Sequence, residues 1–132
     1  MSSIFSIALS GLNDAVRRVA NATSNMVNAS STARLPENSS DAYTGFVPQD
    51  VVTLSNGIGG VNSVAQPRDP AYVTAFEPNS PLANVQGLVA QPNVDLNAEL
   101  VSNIVSANIY AANVATIKTA KKMEDSLLDI IS

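Results

Sequence analysis

The chain predicts a mainly α protein with a small β part (α+β), in which long N- and C-terminal helices pair as an antiparallel, coiled-coil-like core around a central β-hairpin or small sheet. Three observations predict it. All seven prolines fall between Pro36 and Pro92, and every glycine but Gly11 falls between Gly45 and Gly87, so both ends are free of helix breakers. Apolar residues at the two ends recur at three- and four-residue steps. The centre instead carries β-prone runs separated by turn residues. The expected organisation is discontinuous: 1–34 and 93–132 form a terminal helical unit, and 35–92 form a β-hairpin with extended connectors.

In the first segment the steps four, three, four, three run through Phe5, Leu9, Leu12, Val16, Val19, Thr23 and Met26, a heptad seam of about three repeats. Ala8, Ala15, Ala22 and Ala29 repeat every seven residues beside it. Two adjacent stripes imply two contact faces, one packed by large side chains and one small enough for close approach of a second helix. Periodicity alone leaves open whether this is one amphipathic helix on a small core or a helix buried on several sides by neighbouring subunits.

In the centre, Val51–Ser55 and Ile58–Val64 flank Asn56-Gly57, the signal for a tight hairpin. The hairpin is expected to be partly solvated, with Ser63 tolerant of Asp. Tyr43–Val47 and Tyr72–Phe76 are further β-prone runs. Pro67-Arg68-Asp69-Pro70 and Glu77-Pro78-Asn79-Ser80-Pro81 read as stiff connectors.

The last segment opens with Asn93 or Asp95 as cap, and Asp95 and Glu99 place negative charge in the first turn, where the helix dipole favours it. Leu100, Ile104, Ala107, Ala111, Val114, Ile117, Ala120, Met123, Leu127 and Ile130 continue the helical period. About 35 residues of helix are roughly 50 Å long, too long to hide an apolar stripe against a chain of 132 residues. Lys118, Lys121 and Lys122 form a basic cluster that reads as a solvated face or as a partner for acidic groups on a neighbour.

Composition narrows function. Three Phe, three Tyr and no Trp allow only a thin core. A net charge of −4 offers no basic field for nucleic acid or anionic lipid. The chain has no His and no Cys, which removes Ser-His and Cys-His catalysis, most zinc sites and any disulfide framework. Asp95 and Glu99 read as capping groups rather than an acid–base pair, and Gly57, Gly59 and Gly60 read as turn glycines rather than a phosphate loop. No catalytic, cofactor-binding or metal-binding residue is expected, and an enzyme is not. The sequons at Asn21, Asn28 and Asn38 read as incidental. Ile4–Leu12 meets Arg17 and Arg18 only afterwards, the reverse of a signal peptide. No unbroken apolar run reaches the roughly 18 residues of a bilayer span, so no membrane insertion is expected.

Several runs resemble the bacterial flagellar axial rod and hook family, in its proximal-rod branch of the FlgC type. They are Ser24-Asn25-Met26-Val27-Asn28-Ala29 near the start and Phe76–Ala83 with Gly87 in the centre. Towards the end they are Pro92–Asp95, Glu99-Leu100-Val101, Ile104, Tyr110–Val114, Thr119-Ala120-Lys121 and Met123. The likeness spans nearly the whole chain in order, and the short centre resembles the proximal rod rather than relatives with large inserted domains.

The resemblance implies a structural subunit that polymerises helically into a hollow rod, transmits motor torque across the periplasm and forms part of the export channel. Implied partners are copies of itself, other rod proteins, the MS-ring and rod-adaptor proteins, and the flagellar type III export apparatus, which would carry the chain without a cleaved signal. Implied subunit-interface residues are Phe5, Leu9, Leu12, Val16, Val19, Asn25, Asn28, Leu100, Ile104, Tyr110, Asn113, Val114 and Ile117, with the asparagines fixing register. A needle-like secretion filament subunit and a monomeric α+β binding module are the alternative readings.

Overall fold

Two long helices run antiparallel; one small antiparallel sheet packs on the first of them and a second lies towards its C-terminal end. The computed structural model describes residues 2–37 and 41–131, so the sequon at Asn38 lies outside the described residues. The chain order is α1 (Ser2–Asn28), β1 (Gln49–Ser55), β2 (Val61–Pro67), β3 (Tyr72–Phe76), β4 (Leu88–Pro92) and α2 (Leu96–Ile131). The mainly α class with a small antiparallel β part is what the Pro and Gly distribution predicts.

Both helices are shorter at their inner ends than the breaker-free stretches. α1 stops at Asn28, not Arg34, because side chains there compete for helix carbonyls. The Asn28 amide donates to the Ser24 carbonyl at 2.9 Å and the Ser31 hydroxyl to the Asn28 carbonyl at 2.8 Å. Ala33 then enters β structure, exchanging both backbone hydrogen bonds with Ala90 at 2.8 and 2.9 Å. α2 begins at Leu96 because Asp95 is its cap, its Oδ1 accepting from the amides of Asn97 at 2.9 Å and Ala98 at 3.3 Å. Asn93 does not cap; its amide donates to the Pro70 carbonyl at 3.0 Å.

The helix pair closes on its small residues. Ala8, Ala15 and Ala22 of α1 are buried, as are Ser106 and Ala120 of α2. Gly11 sits so near α2 that a Cβ there would lie 2.7 Å from Nδ2 of Asn113. The large-residue seam behaves differently from the expectation that it would be packed. Leu9 is 55% exposed, Val16 53% and Val19 36%, while Phe5, Leu12 and Met26 are half-buried. Small side chains bring the backbones together, and this turns the bulky stripe outward.

The β1–β2 hairpin pairs Ser55 with Val61 and Gln49 with Pro67. Its second strand therefore starts at Val61, three residues later than predicted, and the turn is a five-residue loop, not a two-residue one. Gly57 and Gly59 both take positive φ, at 78° and 90°, a conformation that glycine adopts without steric cost. β3 matches the predicted Tyr72–Phe76 and pairs with β4, a strand for which the sequence offered no separate signal. Val89 and Ala90 of β4 are fully buried. Tyr43–Val47 forms no strand and bends at Gly45; the Tyr43 ring instead lies against that of Tyr72, centroids 4.6 Å apart.

By length and composition α2 meets the requirement for a bilayer span, since an 18-residue window within it has mean hydropathy 1.3. The helix reaches that hydropathy with short apolar groups interleaved with Ser102, Asn103, Ser106, Asn108 and Asn113, so no run is long. Only 6% of the window is buried within the subunit.

Candidate subunit-assembly surface

The surface that α1 offers the hairpin is polar, and its residues recur at helical spacing: Ser10, Asp14, Arg17, Arg18, Asn21 and Asn25. Ser10 Oγ accepts the Val61 amide at 3.1 Å. Asp14 Oδ1 accepts the hydroxyls of Thr53 at 2.7 Å and Ser63 at 2.5 Å, and its Oδ2 accepts Arg18 Nε at 2.9 Å. Arg18 also donates to the Thr53 hydroxyl. At the far end Asn25 donates to the Gln49 carbonyl at 2.8 Å and accepts the Gln49 amide at 3.1 Å. These bonds set the arm's position along the helix, because a buried polar group must find its partner.

The position expected to tolerate Asp, Ser63, is part of this ladder. Ser63→Asp places a second carboxylate where the hydroxyl now meets Asp14, whereas Ser63→Ala removes one hydrogen bond at a cost of about 1 kcal/mol. We expect Ser63→Asp to increase amide exchange across β1 and β2 far more than Ser63→Ala does; equal exchange in the two variants would contradict the ladder.

Burial raises the Asp14 carboxyl, but the hydrogen bonds from Ser63, Thr53 and Arg18 outweigh it and hold the group below the usual carboxylate range. The folded-state value is therefore the lower one. The resulting stability is present above the unfolded value of about 3.9 and is lost as pH falls through the folded value. Comparing thermal unfolding of the wild type and Asp14→Asn from pH 6 to pH 2 checks this: the wild-type advantage should vanish at the acid end. An advantage constant with pH would show that Asp14 acts by shape alone.

A clamp at the hairpin base joins both helices to β1 and to the connectors at Arg68 and Asn93. Arg68 NH2 donates to Asp50 Oδ1 at 2.5 Å and to Glu99 Oε1 at 2.9 Å, and its NH1 donates to the Asn93 carbonyl at 2.8 Å. Glu99 Oε1 also accepts from Asn25 at 2.9 Å. The hydrogen bond to Asp50 outweighs desolvation and, helped by Glu99, holds the guanidinium above its ordinary range. Glu99 is 5% exposed, so it serves as a buried ion-pair partner rather than as a solvated dipole complement. The clue in the sequence is a lone Arg in a proline-rich connector of a chain with 14% charged residues.

The asparagines of the expected interface engage partners within their own subunit. Asn25 is buried, and its side chain is spent within the subunit on Gln49 and Glu99. Asn113 is half-buried opposite Gly11 and donates to the Ile109 carbonyl at 3.0 Å. Asn28 is spent on the Ser24 carbonyl. The aliphatic members fare differently. Leu9, Val16, Val19, Leu100, Ile104 and Tyr110 are open to solvent, and Phe5, Leu12, Val114 and Ile117 are half-buried.

Two grooves lie between the helices, and Val16, Val19 and Tyr110 line the first of them. One, of about 420 Å³, is lined by Ala15, Val16, Val19, Ala20, Ala107 and Tyr110. The other, of about 590 Å³, includes Ile4, Ala120, Met123 and Leu127, placing the start of α1 beside Ala120 of α2. The turns of α2 beyond it expose Met123, Leu127, Leu128 and Ile130. Exposed apolar surface this extensive marks an interface.

Relatives define what kind. The chain is 35% identical over 121 residues to the flagellar basal-body rod protein FlgC of Yersinia enterocolitica, covering 91% of this chain and 90% of that protein. The chain belongs to the FlgC family of flagellar basal-body rod proteins. The FlgC of Salmonella typhimurium is 34% identical over 122 residues with the same coverage. That of Bacillus subtilis is 36% identical over 62 residues, 47% of this chain and 41% of the relative. Residues 85–130 match the family model described as the C-terminal part of flagellar basal body rod FlgEFG proteins. This match begins in the loop before β4 and takes in Glu99, Asn113 and nearly all of α2.

Proposed function

We infer that this chain is a structural subunit of the flagellar basal-body rod, in which copies of itself and other rod proteins cover the apolar outer faces of α1 and α2. The observation that carries the reading is the division of labour between the two stripes of α1. Alanines satisfy the contact within the subunit, and the larger residues are left for contacts beyond it. An enzyme or a monomeric module has no use for that arrangement, since exposed Val, Leu and Ile favour association. A protein neighbour suits α2 better than lipid does, because carrying the Asn103 and Asn108 side-chain amides into hydrocarbon is costly.

On this reading the helix pair, with contributions from 1–34 and 93–132, is the wall of a hollow tube, and 35–92 stands off it as a stiff arm. The rod crosses the periplasm, transmits torque and encloses the export channel. Its partners at the base are the MS-ring and rod-adaptor proteins, and the flagellar type III apparatus delivers the chain. Heterologous contacts repeated by a rotation that does not close generate such a helical tube. Deleting the gene in its host should abolish swimming and leave basal bodies without a complete rod, with recovery when the wild-type chain is restored. Normal swimming after deletion would overturn the reading.

A further inference from the structure

The hairpin loop contains the one Asn-Gly pair of the chain, Asn56-Gly57, and that dipeptide is chemically unstable. The Gly57 main-chain nitrogen can attack the Asn56 side-chain carbon, forming a C–N bond and a five-membered succinimide, while its proton passes to solvent and Nδ2 leaves as ammonia. Water then opens the ring at either carbonyl, giving aspartate or isoaspartate. Glycine favours the attack because no Cβ shields its nitrogen. Gly57 is also exposed, so water and base reach it freely.

The fold holds the Asn56 side chain away from this reaction. Its Oδ1 accepts the main-chain amides of Ile58 at 3.1 Å and Gly60 at 2.9 Å, and the Asn56 main-chain amide donates to the Gly60 carbonyl at 3.1 Å. The carboxamide also packs against Gly60, which is buried: a Cβ there would lie 2.6 Å from Asn56 Nδ2. The Gly57 amide is turned to Ser55 Oγ at 3.3 Å. Tilting the carboxamide onto the Gly57 nitrogen draws Oδ1 off both amides, so bonds made in the ground state are lost in the transition state and the reaction slows. The loop is held to α1 as well, since Ser10 accepts the Val61 amide. We propose that Asn56-Gly57 is a latent deamidation site, closed by the folded hairpin and open only in the unfolded chain. The two products differ in consequence. Aspartate keeps an acceptor oxygen where Oδ1 stands, whereas isoaspartate adds a methylene to the main chain and cannot hold both amides while Ser55 pairs with Val61. Asn84 is an internal comparison with the same plan, its Oδ1 accepting the amides of Gln86 at 2.9 Å and Leu88 at 3.0 Å. It is followed by Val85, whose branched side chain shields the nitrogen. The inference holds for a single subunit and does not depend on the rod-subunit reading.

Peptide mass spectrometry of the purified chain, incubated at mildly alkaline pH both native and in guanidinium chloride, reads the site directly. Asn56 should deamidate at least about tenfold more slowly in the native chain, the effect of two hydrogen bonds lost on the way to the succinimide. In the unfolded chain Asn84 should react much more slowly than Asn56. Gly60→Ala pushes the carboxamide out and leaves Asn56-Gly57 unchanged, so it should restore most of the unfolded rate in a chain whose helices stay folded by circular dichroism. Guanidinium chloride below the unfolding transition gives the same test without a variant: deamidation of Asn56 should rise in step with hydrogen exchange of the Gly60 amide. Equal or faster reaction in the native wild type would overturn the proposal, as would an Asn84 that matches Asn56 in the unfolded chain. So would a folded Gly60→Ala chain as protected as the wild type, or native deamidation that does not follow Gly60 exchange.

Discussion

Arg68→Met should be the most damaging single substitution within the subunit. It leaves Glu99 charged and buried, with Asn25 as its remaining side-chain donor, and breaking a buried pair from one side costs about 3–5 kcal/mol. In a domain of this size that lowers the melting temperature by on the order of 10 °C or more. The loss should be partly repaired in the double variant Arg68→Met/Glu99→Leu, because replacing both members with apolar groups removes the stranded charge. Asp50 is left in solvent in either case, its side chain being 54% exposed. Thermal unfolding of the wild type, both single variants and the double variant gives the coupling directly. An Arg68→Met chain as stable as the wild type, or a double variant as unstable as the two losses added, would remove the clamp from the account of the fold.

That clamp was the least legible part of the molecule. The helix pair could be read from the absence of Pro and Gly at the ends, and β3 from Tyr72–Phe76, because both signals are local. The inner helix ends were not, since Asn28, Ser31 and Asp95 act through specific side-chain bonds that the breaker count ignores. The strand β4 was hidden because Leu88–Pro92 ends in Gln91-Pro92 and gains its identity from pairing with β3 and Ala33. Glu99 and Arg68 stand 31 residues apart, and nothing local pairs them. Two stripes of period seven were visible on α1, but periodicity does not say which faces inward. Bulk argues for burying Leu9 and Val16, whereas close approach at Gly11, Ala15 and Ala22 demands the alanines. Each argument is right for a different neighbour, and family membership supplies the second one.

Val16→Asp tests that division, and its expected effect on assembly is the largest of all. Val16 is half exposed in the single subunit, so Asp there meets water, and the folded monomer should keep its stability to within about 0.5 kcal/mol. Covered by a neighbouring subunit, the same carboxylate is buried without a partner, at a cost of several kcal/mol for each copy. A tube repeats that penalty at every subunit, so rods carrying the variant should not form and cells should not swim. Asn62→Asp is the matched control, an exposed position on the hairpin outside the ladder to α1, and it should leave motility intact. Melting curves of the purified monomers, swimming and the yield of basal bodies distinguish the outcomes. A Val16→Asp monomer that unfolds would place the residue in the subunit's own core, and one that assembles and swims normally would place the interface elsewhere. Only a stable monomer that fails to assemble agrees with a helix whose alanines serve its own subunit and whose valines serve the next.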